Sequence, residues 1–238
     1  MNMQLMNEHI DRVCAESEVW NDLLRLDGAD ILELGCGAAD LTRQIATSGT
    51  GCRVTAMEVD EIRHAKNLQI TDLPNVRFVA GGAEAIPAED DSVDIVLMFK
   101  SLHHVPLAQL DRAMDEIRRV LRSGAHAYIS EPIFAGDFND ILRQFHDEEE
   151  VRKAAFAAVK RAVEDGRFTL VTERFFLSPM HFSDFAAFEA KVIGATHSQH
   201  QLSSAVYASV RRDFHRAMGE DGAHFLMPMR VDLLKVVK

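Results

Sequence analysis

A carboxylate followed by a glycine loop is the pattern in this sequence best suited to bind a ligand. Glu33 ends an apolar run, Gly35 and Gly37 follow it, and residues 41–46 have a helix-like pattern. In dinucleotide sites the pyrophosphate binds at the helix N-terminus after such a loop, because amide donors there favour an anion. A carboxylate beside those donors would repel a phosphate and attract a cation. The third glycine of the dinucleotide pattern is also missing, because Asp40 stands there.

A second acid and a second small-residue loop extend this pattern. Glu58 ends the strand-like residues 53–58. It lies about 20 residues past the glycine loop, where an acid can bind ribose hydroxyls. Residues 76–84 form a third strand-like segment that runs into Gly81 and Gly82, where a flat adenine ring can approach the backbone. The ligand favoured is S-adenosylmethionine, which carries an ammonium and a sulfonium and has no phosphate.

The segments that position these residues alternate between strand and helix as far as about residue 131. Residues 92–99 are apolar almost throughout, as a parallel strand buried on both faces is. Residues 106–121 fit a helix with proline in its first turn, residues 121–124 end that helix, and residues 125–130 form a fifth strand. This alternation predicts an α/β fold with a Rossmann-like, doubly wound, mostly parallel sheet.

The two ends of the chain have different patterns. Residues 8–26 show helical spacing of apolar positions, in one helix or two. The segments predicted after residue 131 are one or two helices over 136–164, a strand over 168–177 stopped by Ser178-Pro179, and helices over 182–193 and 201–218. A last, antiparallel strand is expected over 229–237, starting after Pro228 because proline cannot donate to a ladder.

Phenylalanine is concentrated in the second half, where 12 of the 14 residues of this type follow residue 130. The segments that carry them would lie over the carboxyl ends of the strands, where ligands bind in open α/β sheets. Two interpretations are open, namely an apolar pocket for a flat or hydrophobic acceptor and ordinary core packing.

The motifs together resemble the class I S-adenosylmethionine-dependent methyltransferases of the small-molecule, ubiquinone/menaquinone C-methyltransferase-like type. The resemblance covers roughly residues 25–132 and implies a seven-stranded sheet with an antiparallel last strand. It rests on Glu33-Leu34-Gly35-Cys36-Gly37, on Glu58, on residues 81–87 (GGAEAIP), on residues 99–105 (FKSLHHV) and on Leu121-Arg122-Ser123-Gly124.

The resemblance also implies a cofactor site. Glu33 would attract the ammonium, Glu58 would accept from the ribose, and Ala83 and Glu84 would flank the adenine. Many relatives carry aspartate where this chain has Gly82, so the contact with the adenine amino group would come from the backbone or Glu84, or be absent. The implied cofactor-binding residues are Glu33, Gly35, Cys36, Gly37, Glu58, Val59, Gly82, Ala83, Glu84, Phe99, Lys100 and His104.

Few catalytic residues are expected, because a sulfonium already activates its methyl group and the protein must mainly orient the reactants. His103 and His104 are the candidates for a general base, since imidazole titrates near neutrality. The pair could instead be structural, and His104 could contact the cofactor. Glu131, before Pro132, could orient an acceptor hydroxyl or amine, or cap a helix.

No metal is expected. His197 and His200 have an i,i+3 spacing, but neither an HExxH pattern nor a cysteine ligand accompanies them, so with His181 they could line the acceptor pocket instead. The acidic run over residues 147–150 is interpreted as a solvated helix face or N-terminus. The chain also lacks the Asn/Asp-Pro-Pro-aromatic motif of amine-directed nucleic-acid methylases and an evident acidic triad for magnesium. The leading hypothesis is therefore metal-independent C- or O-methylation of a small organic acceptor, apolar or aromatic.

Composition limits the other classes. The chain has 238 residues and a net charge of −11, which disfavours nucleic-acid backbones as partners. No apolar stretch reaches the ~20 residues that span a bilayer. The N-terminus lacks a secretory pattern, and the three cysteines form no C-x-x-C pair, so a cytoplasmic protein is expected.

One methyltransferase domain is expected over residues 1–238, with a homodimer as one option. Its parts would be an N-terminal helical segment (1–27), the cofactor-binding core (28–131), acceptor-side helices with strand six (132–225) and the last strand (226–238). Three alternatives stay open: a non-catalytic S-adenosylmethionine-binding module or partner subunit, a tRNA wobble-base methyltransferase, and a nicotinamide-dependent oxidoreductase, against which Glu33 and the missing glycine weigh.

Overall fold

The computed structural model describes residues 3–7, 9–194 and 202–238. Its strands are β1 (Asp30–Leu34), β2 (Arg53–Glu58), β3 (Val76–Ala80), β4 (Val93–Phe99), β5 (Leu121–Pro132), β6 (Phe168–Phe182) and β7 (Ala223–Val236). They form a single seven-stranded sheet in the order β3-β2-β1-β4-β5-β7-β6.

The helices alternate with these strands. They are α1 (Glu16–Leu23), α2 (Asp40–Ser48), α3 (Glu61–Asn67), α4 (Leu110–Val120), α5 (Asp137–Leu142), α6 (Glu149–Glu164), α7 (Phe185–Phe188) and α8 (Ser204–Arg216). Short 3-10 turns cover Leu102–His104 and Leu107–Gln109, and a π-turn covers Glu189–Ile193. Among the described residues, none of the helices is long and apolar enough to span a bilayer.

The strand directions confirm the predicted fold class. Strands β1 to β5 pair in parallel with their neighbours, and β7 runs antiparallel between β5 and β6. Because β1 lies between β2 and β4, the direction of winding reverses beside β1. The crevice outside the carboxyl ends of β1 and β4 is therefore the place where this class of sheet binds its ligand.

Two apolar cores cover the faces of the sheet. Successive side chains of a strand point to opposite faces, so neighbours in β1, β4 and β5 enter different cores. One core joins α4 and α6 to the sheet through Leu32, Val96, Ile129, Ile117 and Val159. The other joins α1 and α2 to it through Ile31, Leu97, Tyr128, Trp20 and Ile45.

The first helix is shorter than predicted, because the residues before it pair with the sheet. The backbone amide of Leu177 donates to the carbonyl of Arg12 over 2.8 Å, and that of Cys14 donates to the carbonyl of Leu177 over 3.1 Å. Val13 thereby forms a parallel bridge to Leu177 in β6, the outer strand. The helix begins only at Glu16, so the prediction of helix from residue 8 was wrong.

The segment Leu121–Gly124 belongs to a strand and not to the end of a helix. Leu121 pairs with Val93 in β4, so β5 begins four residues earlier than predicted. Arg122 forms ion pairs with Asp30 over 3.1 Å and with Asp94 over 2.6 Å, next to the starts of β1 and β4. These carboxylates draw the segment against the sheet, which local helix propensity does not reveal.

Pro179, expected to stop a strand, and Pro228, expected to precede one, both lie inside strands. Pro179 in β6 pairs with Leu226 in β7. Because β6 is the edge strand, the missing N–H of Pro179 costs no ladder bond. Pro228 lies in β7, and its carbonyl accepts from the amide of Ile133 over 2.9 Å. The ring nitrogen of Pro228 faces the same side of β7 as its carbonyl. It lies beyond Pro132, where β5 has already ended, so no strand bond is lost there. The predicted strand limits at these prolines were therefore wrong.

The β6–β7 hairpin extends past the carboxyl end of β5 and carries an apolar core of its own. This aromatic cluster consists of Phe138, Phe182, Phe185, Phe188, Phe214 and Phe225, all buried, from α5, β6, α7, α8 and β7. Neighbouring rings have centroids 5.0–6.3 Å apart. All six follow residue 130, where the sequence left open an acceptor pocket or core packing, and the structure places these six in a core.

We expect Phe214→Ala to lower the free energy of unfolding by about 3–5 kcal/mol, because Phe214 is fully buried and its removal leaves a cavity. Urea unfolding followed by circular dichroism measures the loss. Leu226→Ala on the neighbouring strand is the control, since Leu226 is 47% exposed and should lose less than about 1 kcal/mol. Equal losses for the two variants would contradict a separate aromatic core.

Candidate active site

The glycine loop after β1 is held against β2 and against the segment after β4. The amides of Gly35 and Cys36 both donate to the carbonyl of Met57 over 2.9 Å. The hydroxyl of Ser101 donates to the carbonyl of Leu34 over 2.7 Å. A Cβ on Gly35 would lie 2.6 Å from the Cβ of Ser101, and its φ is +77°, so glycine is required there. Three loops therefore meet at the crevice predicted from the strand order.

The carboxylate of Glu58 binds the glycine loop at Gly37 and also the backbone that follows β2. One oxygen accepts from the amide of Gly37 over 2.6 Å, and the other accepts from Val59 over 2.8 Å and Asp60 over 2.9 Å. A carboxylate has about four acceptor positions, so one remains for a ligand hydroxyl. Glu58 is buried at the end of β2, where the sequence predicts it.

Glu33 lies beneath the loop and is 2% exposed. The hydroxyl of Thr42 in α2 donates to it over 2.6 Å. Burial raises the pKa of Glu33 to about 7, against the hydrogen bond from Thr42 and helped by the negative charge of Glu58. A cationic ligand beside Glu33 would favour its ionised form, which is the electrostatic property expected of a site for an ammonium group.

Asn67 binds the glycine loop, a contact that the sequence did not reveal. It is the last residue of α3, it is 2% exposed, and its side-chain amide donates to the carbonyl of Gly37 over 2.9 Å. The same amide lies 3.5 Å from the sulfur of Cys36. Burial, with Glu33 and Glu58 nearby, raises the pKa of the Cys36 thiol, so Cys36 packs as a small neutral side chain.

The small-residue loop after β3 places Glu84 over Gly82. A Cβ on Gly82 would overlap the carboxylate of Glu84, with one oxygen only 2.5 Å away. The carboxylate of Glu84 therefore fills the space that an aspartate side chain at position 82 would need. Ala83 is buried in the core beside it. Of the options that the sequence left open, this geometry favours Glu84 as the acidic group on the adenine side.

Phe99 and Lys100 end β4 but differ in environment. The ring of Phe99 packs 5.3 Å from that of Trp20 and 5.6 Å from that of Tyr128, so it is committed to the core under α1. Lys100 is exposed, has a φ of +53° and donates its amide to the carbonyl of Ser130 over 2.7 Å. The predicted cofactor contact of Phe99 is thus limited to its backbone.

His103 and Glu131 form a buried ion pair. The Nδ1 of His103 donates to the carboxylate of Glu131, which also accepts from the amide of Leu102 over 2.9 Å. The Nε2 of His103 lies 3.5 Å from a carboxylate oxygen of Glu148. Burial alone would lower the pKa of His103, but Glu131 and Glu148 raise it to about 9. These carboxylates favour the protonated ring, and Nδ1 of His103 is already bonded to Glu131, so this geometry does not favour His103 as a general base and commits Glu131 to it.

The acidic run lies at the N-terminus of α6, one of the two positions that the sequence suggested, but Glu148 within it is not solvated. Glu148 is 7% exposed and accepts from Arg152 over 2.6 Å and from His146 over 2.8 Å. Burial would raise the pKa of Glu148, but His103 and Arg152 hold it far below its usual range. The i,i+4 spacing to Arg152 is the signal in the sequence that could have found this pair.

His104 lies on the outer side of this ion pair. Its ring is exposed, and its centroid is 4.1 Å from that of His103. Because Glu131 and Glu148 hold His103 in place, the contact between the rings also limits where His104 can lie. His104 is the histidine of the pair whose position and exposure suit contact with a substrate.

A cavity opens beside Glu131 between the N-terminal segment, α6 and β7. Arg230 in its wall is paired with the buried Asp232 over 2.9 Å, and its guanidinium covers the ring of Phe156 at 4.4 Å. The lining includes Leu5, Met6, Phe134, Arg152, Lys153 and Arg230. Among the described residues, Phe134 is the one phenylalanine of this lining, so the concentration of phenylalanine in the second half of the chain does not build this cavity.

The sequence did not favour His197 and His200 as metal ligands. His197 and His200 lie outside the described residues. Ligand atoms of His103, His104 and Glu148 lie within 4.8 Å of one another. A metal there would have to displace the proton that His103 holds between two carboxylates.

Known proteins resemble this chain in sequence over part of its length. Residues 31–124 match a family model described as a methyltransferase domain. Probable phthiotriol/phenolphthiotriol dimycocerosates methyltransferase 2 of Mycobacterium ulcerans is 33% identical over 105 residues, 42% of this chain and 38% of that protein. Ubiquinone/menaquinone biosynthesis C-methyltransferase UbiE of Hahella chejuensis is 28% identical over 160 residues, 58% of this chain and 62% of that protein. The chain thus spans less than two thirds of the length of either relative.

A solved structure extends the likeness over the whole fold. The YcgJ protein from Bacillus subtilis superposes with a TM-score of 0.65 at 15% identity, covering 93% of this chain and 97% of that one. Residues 31–124 are similar to a methyltransferase domain, and the likeness to the solved structure covers the fold of nearly the whole chain. Together these findings support a class I S-adenosylmethionine-dependent methyltransferase, which is the class that the resemblance implied.

The raised pKa of His103 makes part of the stability depend on pH. Its folded-state pKa of about 9 exceeds the ordinary 6.5, so the stabilisation is complete below about pH 6.5 and is lost as the pH rises through about 9. The quantity to compare is the difference in free energy of unfolding between the unmodified protein and His103→Gln. We expect this difference to fall by on the order of 3 kcal/mol between pH 6 and pH 10.

Urea unfolding at both pH values measures this difference. His9→Gln, at an exposed histidine, is the control and should show no such fall. A difference that stays constant between the two pH values would mean that His103 is neutral in the folded protein.

Proposed function

We propose that the protein transfers a methyl group from S-adenosylmethionine to a small organic acceptor, by C- or O-methylation and without a metal ion. The observation that carries this proposal is the pair of buried acids, Glu33 and Glu58, on either side of the glycine loop at the crevice beside β1. The pair suits a ligand that is cationic at one end and carries hydroxyls at the other.

The residues present fit this cofactor. Gly35 packs against Ser101 with a φ of +77°, which fixes the course of the loop between the two acids, and a phosphate placed beside those acids would be repelled. Glu33 would hold the ammonium, Glu58 the ribose hydroxyls and Glu84 the adenine amino group. Each role uses a carboxylate as acceptor, which matches a ligand whose polar groups at these points are donors.

S-adenosylmethionine supplies an electrophilic methyl group on a sulfonium when bound. The chain's own task is to orient the acceptor, exclude water and remove a proton where the acceptor has one to lose. The His103–Glu131 pair positions the 3-10 turn Leu102–His104, and it thereby sets the position of His104 at the carboxyl edge. His104 is the group that we assign to proton removal.

The class of acceptor is proposed from the relatives. The named relatives are a methyltransferase of phthiotriol and phenolphthiotriol dimycocerosates and a methyltransferase of ubiquinone and menaquinone biosynthesis, and both names denote small molecules. The acidic net charge of −11 disfavours a nucleic-acid acceptor in this chain. The cavity beside Glu131 is the part of the structure where we place the acceptor.

Cofactor binding is tested by calorimetric titration with S-adenosylhomocysteine, with NADH as a parallel control. We expect micromolar one-to-one binding of the first and none of the second. Labelled S-adenosylmethionine is then incubated with the protein and a cell extract, and label is expected in the small molecules extracted by organic solvent. Label found only in RNA or protein would refute the proposed acceptor class while leaving the cofactor intact.

Glu58→Gln should weaken S-adenosylhomocysteine binding by about 5- to 150-fold, the equivalent of roughly 1–3 kcal/mol, because a buried charged acceptor is lost. Glu61→Gln is the matched control, since it makes the same charge change three residues away at an exposed position. Calorimetry measures both affinities. Equal affinities for the two variants would show that the ribose is not bound by Glu58.

His104→Ala should lower the rate of methyl transfer by about 10²- to 10⁴-fold, the usual contribution of a general base. Its affinity for S-adenosylhomocysteine should stay within a few-fold of that of the unmodified protein. Transfer of label into the extracted small molecules measures the rate. The reverse result, with affinity lost and rate kept, would make His104 a cofactor contact.

A further inference from the structure

Two histidines face each other across the outer end of the β6–β7 hairpin. His181 and His224 are register partners on the two strands, and their ring centroids are 4.7 Å apart. Asp221, in the turn before β7, lies between them. The Nε2 of His224 donates to its carboxylate over 2.9 Å, and the Nε2 of His181 donates to its carbonyl over 2.9 Å. All three residues are exposed, away from the cofactor crevice elements.

We propose that His181, Asp221 and His224 bind one divalent transition-metal ion of the Zn²⁺ class. A nitrogen of each ring and a carboxylate oxygen lie within 4.8 Å of one another. Zinc binds imidazole nitrogen and carboxylate oxygen at about 2.0–2.2 Å, so tetrahedral ligands are about 3.3 Å apart. Side-chain adjustments of about 1 Å would close these ligands on an ion, with water in the fourth position.

The ligand set selects the class of metal. Two imidazoles with one carboxylate suit Zn²⁺, Ni²⁺ or Cu²⁺, whereas Mg²⁺ and Ca²⁺ take oxygen ligands. The rings of His181 and His224 are exposed, so they can bind an ion without giving up buried ion pairs. In this respect the site differs from His103, which is paired with buried carboxylates.

The backbone holds the three ligands near one another before any ion binds. Paired strands fix the separation of His181 and His224, because opposite residues of an antiparallel pair have Cβ atoms about 5 Å apart. Gly222 has a φ of +129°, and a Cβ there would lie 2.7 Å from Nε2 of His181. Only glycine therefore lets the turn bring Asp221 up to both rings, so binding requires little ordering of the chain.

The proposed site is next to the aromatic cluster. Phe182 and Phe225 adjoin His181 and His224 in sequence, and their rings point to the opposite face, into the cluster. An ion bound by both strands would therefore join the outer ends of β6 and β7. This role is independent of methyl transfer.

The test uses the full chain after treatment with a chelator and removal of that chelator. Zn²⁺ is titrated in competition with a chromophoric chelator, and Co²⁺ is added separately to record its visible absorption. We expect one equivalent of Zn²⁺ with micromolar or tighter affinity. His181→Ala and His224→Ala should each weaken it at least tenfold, Asp221→Asn should weaken it less, and His9→Ala, at a distant exposed histidine, should leave it unchanged.

A thermal melt gives a second readout. Zn²⁺ should raise the Tm of the unmodified protein and not that of the His181→Ala/His224→Ala double variant, while both keep the same Tm and far-ultraviolet spectrum without metal. The proposal is overturned if the double variant still binds one equivalent with the original affinity, or if the protein binds Zn²⁺ no more tightly than millimolar. S-adenosylhomocysteine affinity should be the same in both proteins, which separates this result from the proposed function.

Discussion

The three hydrogen bonds that backbone amides donate to Glu58 are the constraint on which the site depends. The bond from Gly37 fixes the loop after β1 to the end of β2, and the bonds from Val59 and Asp60 hold the carboxylate of Glu58 in place. The glycine loop can then meet Ser101, whose hydroxyl returns to β1. The turn that follows Ser101 carries both histidines, so the proposed binding and proton-transfer groups share one framework of loops.

The parallel half of the fold could be predicted because its strands are buried on both faces. Such strands are nearly continuous apolar runs, and helices of clear periodicity separate them. The limits of β5, β6 and β7 could not be predicted in this way. Leu121 is drawn into a strand by the ion pairs of Arg122. Pro179 and Pro228 are tolerated because no strand lies beside their missing N–H groups, since β6 is at the edge and β5 ends at Pro132. Those causes lie in pairings between distant segments, and local propensity does not contain them.

The residues of the proposed cofactor side could be selected from the sequence, whereas the contacts of Glu131 and Glu148 could not. Glu33, Gly35 and Glu58 act through backbone geometry at fixed strand ends, so their spacing reveals them. Glu131 and Glu148 acquire their roles only through His103, which lies 28 residues from Glu131 in the chain. A carboxylate in an acidic run is ordinarily solvated, and only the approach of Arg152 and His103 makes Glu148 a buried ion.

The short parallel pairing of Val13 with Leu177 has a consequence for assembly. β6 is the outer strand of the sheet, and an unpaired outer strand is a template for strands of other molecules. The N-terminal segment occupies the middle of this edge, and the exposed Pro179 interrupts its donors two residues further on. The chain thus protects its own edge against intermolecular β-addition and aggregation, using residues that also lead into the first helix.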